Sequence, residues 1–229
     1  MALRRPYLYL LVTLVISIVL MEVLVEIAEH TFIKPALQQL ELQFIAYVQQ
    51  FVTPPLTAEV MLVTASGSST FYLLASALVC CWYLYSRQKD RLYLYLVCLC
   101  GGGILNQVLK RIFERVRPDI FPVIAESGYS FPSGHAMGAI CFYGILAYFA
   151  GLGLRSKPLR WGLLAAAGIY ILLIGLSRVY LGVHYPTDIL AGYAAGATWL
   201  FFCITLHRIF RKRYYCLLYT SPSPRDISG

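Results

Sequence analysis

Three short strings hold the residues that can do chemistry. They are Lys110 with Arg117-Pro118 (K-x6-RP), Pro132-Ser133-Gly134-His135, and Ser177-Arg178 followed by His184 and Asp188 (SR-x5-H-x3-D). Between them they supply three cations, two histidines and one carboxylate. Cations can hold an anion, one imidazole can attack it and another can protonate what leaves, which together describe a phosphate-hydrolysing site. Charge is costly in or near a bilayer, so such a set in an otherwise apolar chain marks a polar site.

Each string has a local logic. Lys110 and Arg117 lie seven apart, about two helical turns, so on one helix both point the same way, and Pro118 ends that helix. Arginine presents a planar fork to two phosphate oxygens, whereas lysine is a compact point charge. Taken alone, Lys110 equally suits a lysine snorkelling at a membrane edge. Pro132 and Ser133 form a turn into a helix. There Ser133 can cap, Gly134 lets the backbone approach a ligand, and the free N–H groups of the first turn make an anion site. A plain N-cap with a buried, hydrogen-bonded His135 is the competing reading of that string by itself. Pro186 fits the first turn of a later helix, so His184 precedes that helix and Asp188 lies in its opening turn. Asp188 can then accept a hydrogen bond from one ring nitrogen of His184, fixing the tautomer and freeing the other nitrogen to attack. It also complements the helix dipole, and one carboxylate can do both.

The elements that must position these residues read as membrane helices. Of the 229 residues 59% are hydrophobic and only 13% charged, too apolar for an ordinary soluble domain. Apolar runs of about 20 residues cross a bilayer as helices. Six such spans are expected: Tyr7–Ile27, Ser69–Tyr85, Leu92–Ile112, His135–Leu154, Trp161–Leu181 and Pro186–Leu206. The fold expected is therefore all-α, an integral membrane bundle of six transmembrane helices. The first run follows Arg4 and Arg5 but lacks a small-x-small site, so it reads as an uncleaved span and not as a signal peptide. Residues 28–68 are expected outside the clear spans, with an amphipathic helix over Leu40–Phe51, a break at Pro54-Pro55, and a serine N-cap near Gly67. Residues 1–213 form one membrane domain. The segment 214–229 turns to Ser, Pro and Gly and reads as a disordered or non-native tail.

The net charge of +8 does not point to nucleic acid. Under six-span threading, 12 of the 19 Lys and Arg fall on one side: Arg4 and Arg5, Arg87 to Arg91, Arg155 to Arg160, and Arg208 to Arg213. The positive-inside tendency makes that side cytoplasmic. Lys110, Arg111, Arg115, Arg117 and Arg178 gather at the opposite face against the trend, and binding an anion is the simplest reason. The site is therefore expected at the extracytoplasmic face of a multi-pass cell-membrane protein. Arg111 and Arg115 suit either a second phosphate or lipid headgroups. The seven cysteines show neither zinc-ligand spacing nor a disulfide framework and read as small apolar packing residues.

Together the three strings resemble the signature of the type 2 phosphatidic acid phosphatase superfamily, with every signature position matched. Gly128-Tyr129-Ser130-Phe131 and Tyr180-Leu181-Gly182-Val183 are similar to its bacterial membrane members. The resemblance implies that His184 is the nucleophile and forms a phosphohistidine. It implies that Asp188 orients His184, and that His135 is the general acid and then the base for water. Lys110, Arg117, Ser133, Gly134 and Arg178 would bind the phosphate. No metal or other cofactor is implied, because the cations replace it and no carboxylate cluster is present to hold one. The partners implied are a lipid phosphate substrate and membrane lipids, with no nucleic acid; the oligomeric state is not set by the sequence. By analogy with small bacterial members, undecaprenyl diphosphate is the expected substrate, with phosphatidylglycerophosphate or phosphatidate as the alternative. A transporter or a non-catalytic lipid-binding relative ranks lower, because the charges cluster at one face and neither histidine nor the aspartate is lost.

Overall fold

The computed structural model describes residues 4–119 and 122–220. Among the described residues nine α-helices follow in order: α1 (Arg4–Ile33), α2 (Pro35–Gln49), α3 (Pro54–Ala65), α4 (Ser69–Tyr85), α5 (Lys89–Phe113), α6 (Gly134–Ala139), α7 (Ile145–Gly153), α8 (Lys157–Tyr180) and α9 (Pro186–Thr220). A π-helical turn, Ile140–Gly144, joins α6 to α7, making one 20-residue segment, Gly134–Gly153. Among the described residues, five helical segments are each long and apolar enough to cross a membrane. The pair α3 and α4, bent by 50° at the break between them, passes the same test together and makes a sixth where the pair is one span. The all-helical membrane bundle read from the sequence is the fold observed.

Local sequence explains most helix ends. Proline opens α2 and α3, where its missing N–H costs nothing. Ser68 caps α4 through Phe71 N at 3.1 Å, the serine cap expected near Gly67. Ser156 caps α8. Glu114, in the left-handed region (φ 46°), closes α5. The amphipathic segment is present as α2, which buries Ile45 and Glu41.

Two expectations are corrected. Residues 54–65, expected outside the clear spans, form the apolar helix α3, which packs on α8 and passes the span test together with α4. Glycine at the break into α4 has a steric reason: a Cβ on Gly67 would come within 2.5 Å of Ile174 and 3.0 Å of the His135 ring. Arg117 does not share a helix with Lys110, because the chain leaves α5 at Phe113 and Ser130 N bonds back to Arg115 O at 2.8 Å. α9 is described to Thr220, and residues 221–229 of the expected tail lie outside the described residues.

The core divides around α9. An aromatic cluster of Tyr72, Tyr83, Tyr95, Phe142 and Phe149 with Leu200 fills the space between α4, α5, α7 and α9. Leu24 and Ala28 of α1 pack with Phe131, Met137 and Ala191. Cys98, Cys141 and Cys203 pack in the aromatic core as expected, but Cys81 and Cys100 are exposed. Leu73, Leu74, Leu78, Ile104 and Leu172 are among many exposed apolar side chains, which suits helices surrounded by lipid.

Candidate active site

All eight residues singled out in the sequence come to one end of the bundle. Lys110 is in the last turn of α5, Arg117 in the loop after it, and Ser133, Gly134 and His135 at the start of α6. Arg178 is in the last turn of α8, and His184 and Asp188 flank the start of α9. Lys110, Arg117, Gly134, His135 and His184 line one cavity of about 780 Å³.

His184 is held at both nitrogens. Its Nδ1 lies 3.3 Å from Asp188 Oδ2, and its Nε2 lies 3.1 Å from Arg117 Nη1. A carboxylate only accepts and a guanidinium only donates. The ring therefore carries its proton on Nδ1 and its lone pair on Nε2. Burial pushes the imidazole down to about 3, Asp188 opposes that by hydrogen bond and charge, and Arg117 and Arg178 add to it. His184 is thus a neutral imidazole whose Nε2 lone pair faces the Arg117 guanidinium. Asp188, fully buried, also accepts from Tyr185 N at 2.9 Å, and its carbonyl accepts from Ser133 N at 2.8 Å. That last bond ties the α9 start to the α6 start.

The cations are fixed by backbone and loop. Arg117 donates to the carbonyls of Val183 (2.9 Å), Gly128 (3.0 Å) and Ser127 (3.2 Å). Burial lowers its affinity for its proton, with Asp188 opposing. Lys110 Nζ donates to Tyr129 O. Arg178, 2% exposed, donates from Nη1 to Thr64 Oγ1 at 2.8 Å, pairs with Glu126, and keeps a buried Nε with no hydrogen-bond partner among the described residues. Glu126 also lies 3.6 Å from Arg117. A carboxylate between two arginines occupies the position that an anionic ligand would take. The Ser133 hydroxyl accepts from Ala136 N at 3.4 Å as the N-cap of α6, and the His135 ring is half-buried on the cavity wall.

Sequence reasoning missed Thr64, Glu126 and Glu41. Arg115 reaches neither a second phosphate nor headgroups: it is buried and paired with Asp188 and Glu41. Arg111 does line the cavity. Proline at the first turn of α3 was the available signal for the helix that carries Thr64. Nothing local marks Glu41 or Glu126.

With this geometry in view, the chain matches the PAP2 superfamily over residues 91–212. The chain belongs to the PAP2 superfamily. It is 40% identical over 156 residues to phosphatidylglycerophosphatase B of Bacillus subtilis, a match covering 67% of this chain and 76% of that protein. It is 35% identical over 110 residues to an undecaprenyl-diphosphatase of Sulfolobus acidocaldarius, covering 47% and 48% of the two. The crystal structure of a transmembrane PAP2-type phosphatidylglycerolphosphate phosphatase from Bacillus subtilis superposes with a TM-score of 0.77 at 32% identity, covering 86% of this chain and 96% of that one. The chain is a multi-span membrane phosphatase, a hydrolase acting on lipid phosphate esters.

Proposed function

We propose that this phosphatase hydrolyses phosphatidylglycerophosphate through a phosphohistidine on His184, at the outer face of the cell membrane. The observation that carries the mechanism is the His184 ring, held by Asp188 at Nδ1 and facing Arg117 from Nε2 inside a cation-lined cavity. The substrate assignment rests on the Bacillus subtilis phosphatidylglycerophosphatase B, which matches more of this chain than the undecaprenyl-diphosphatase does. That favours the alternative named from the sequence over undecaprenyl diphosphate.

In the proposed reaction the phosphate displaces Glu126 from Arg178 and draws Arg117 off the His184 lone pair. Lys110, Arg117, Arg178, the Ser133 hydroxyl and the Gly134 N–H take the equatorial oxygens, where charge must be stabilised. Nε2 of His184 forms a bond to phosphorus as the bond to the glycerol oxygen breaks, and His135 gives that oxygen its proton. The phosphorylated ring keeps its Nδ1 proton, and Asp188 offsets the positive charge. Water then attacks phosphorus, His135 takes its proton, and the P–N bond breaks to return neutral His184 with inorganic phosphate. The outer orientation is supported by the 12 cations on the opposite side of the six-crossing thread.

One observation favours a second reading. Arg111 lines the same cavity as Lys110, as a second phosphate of undecaprenyl diphosphate would require.

The test is phosphate release by the detergent-purified protein in EDTA, with phosphatidylglycerophosphate, undecaprenyl diphosphate and phosphatidate offered side by side and His184→Ala as control. Release that resists EDTA, is lost in the variant and is fastest on phosphatidylglycerophosphate is expected. Equal release by the variant removes the mechanism, and a higher rate on undecaprenyl diphosphate replaces the substrate.

A further inference from the structure

The reaction uses one oxygen of Asp188. The other belongs to a buried chain of charge that no signature position contains. Arg115 Nη1 donates to Asp188 Oδ1 at 2.5 Å and to Thr187 Oγ1 at 2.9 Å, and its Nη2 donates to Glu41 Oε2 at 2.6 Å. Its guanidinium carbon lies over the Tyr185 ring, 3.8 Å from the centroid. The second oxygen of Glu41 accepts from Thr187 N at 3.0 Å and Thr187 Oγ1 at 2.5 Å. The side chains of Glu41, Arg115 and Asp188 are 4%, 7% and 0% exposed.

Charge alternates along this line from Glu41 through Arg115 and Asp188 to His184. Desolvating charged groups costs several kcal/mol per ion unless their geometry and hydrogen bonds are well satisfied, and apolar replacements often hold a fold as well. Neither Glu41 nor Arg115 lines the cavity, so neither is placed to touch a ligand. What both reach is Asp188, directly or through one partner.

We propose that Glu41 and Arg115 are positioning residues of the phosphoryl-transfer site, holding the Asp188 carboxylate in register with His184 and moderating the charge it presents to that ring. The inference rests on His184 being the nucleophile. Arg115 anchors Oδ1, so Oδ2 is left to Nδ1 of His184 and to Tyr185 N. It also neutralises part of the carboxylate's charge, which otherwise would make His184 more basic and more often protonated. Glu41 holds Arg115 in place and offsets it, so that Asp188 keeps enough charge to steady the phosphorylated ring. The other charged groups facing this pair are Lys110 from α5, Arg117 and Glu126 from the loop, and Arg178 from α8. All four stay constant across the variants below, so differences between variants report the Glu41–Arg115 line.

The experiment measures kcat, KM and the pH profile of kcat/KM for the full-length protein in detergent, with Arg115→Gln, Arg115→Lys and Glu41→Gln. Inhibition by inorganic phosphate serves as a check on the cation cradle. Arg115→Gln is expected to lower kcat about tenfold, the lower end of what losing an outer hydrogen-bond partner costs at metal-ligating histidines. It should move the acid limb up by about one pH unit, with KM and phosphate inhibition within about twofold of wild type. Arg115→Lys keeps the charge and is expected to bring the limb back toward its wild-type position. Glu41→Gln is expected to lower kcat without raising the limb, and to add little in the Arg115→Gln background. An unmoved limb in Arg115→Gln, or a KM and phosphate inhibition that weaken along with kcat, overturns the inference. If Arg115→Gln does not fold, Glu41→Gln decides: unchanged kcat, or loss in KM instead, overturns it. A wild type without activity, or a His184→Ala variant as active as wild type, would fail the nucleophile reading and not this one.

Discussion

At the scale of single residues, the site depends on an imidazole that stays neutral among cations. A solvent-exposed histidine titrates near 6.5, and His184 is held down to about 3, first by burial. The sign follows directly. In the proposed mechanism the neutral ring is the nucleophile, so lowering its proton affinity keeps it competent as the solution becomes more acid. We expect kcat/KM to show no loss from His184 as pH falls through 6.5, whereas an ordinary histidine would be half inactive there; a wild-type rate that halves on the acid side at 6.5 would overturn this. Asp188→Asn keeps the shape and removes the charge, and its amide N–H favours the tautomer with the lone pair on Nδ1. By comparison with the same change behind a catalytic histidine elsewhere, kcat should drop on the order of 10³- to 10⁴-fold, measured as steady-state phosphate release. Arg178→Lys replaces a fork that holds Thr64 at 2.8 Å with a point charge, and here KM should rise more than kcat falls.

At the scale of elements, the site is an assembly of helix ends, and its precision depends on how closely α9 approaches the start of α6. A Cβ at Gly192 would come within 2.7 Å of the Ser133 carbonyl and 3.0 Å of Ala136. Gly192→Ala should push the helices apart, stretch the Ser133 N to Asp188 O bond, and cost roughly 1–3 kcal/mol as overpacking does, with activity lost alongside. Gly168, in α8, has nothing within 4 Å of its would-be Cβ. Gly168→Ala should be neutral or stabilising by up to about 1 kcal/mol, so thermal unfolding of the two variants in one detergent separates packing from propensity. The same elements show what the sequence makes legible. His184 and Asp188 are read as partners because four residues and a proline fix their geometry, and Ser133 as a cap because its role is local. Lys110 and Arg117 were placed on one helix by spacing alone, and the left-handed turn at Glu114 separates them while the loop brings them back to one cavity. α3 escaped because its 12 residues are too short to read as a crossing without α4. Glu41 meets Arg115 across 74 positions of chain, a contact that no local pattern encodes.

At the scale of the whole molecule, a lipid phosphatase must hold its phosphate among charges and its tail among apolar side chains at once. The cavity is lined for both. From Lys110, Arg117 and His184 it continues between α4 and α5, past Tyr72 and Leu73 to Ala77, Cys80, Leu96 and Leu99. The α4 side, from Ser69 to Cys80, rises about 16 Å at 1.5 Å per residue. A groove of that depth takes the first part of a lipid chain, and each methylene removed from water contributes about 0.8 kcal/mol. The tail should therefore strengthen substrate binding through contacts remote from phosphorus, and shortening the groove should penalise long chains alone. Ala77 lines the groove without being buried in the core, so Ala77→Phe fills space with little cost to folding. We expect the ratio of kcat/KM for long-chain over very short-chain phosphatidylglycerophosphate to fall about tenfold, the equivalent of roughly two methylenes of contact, with the short-chain rate nearly unchanged. An unaltered ratio would mean that the tail leaves the site along another path. A fall for both substrates alike would mean that the substitution reached the cation cradle.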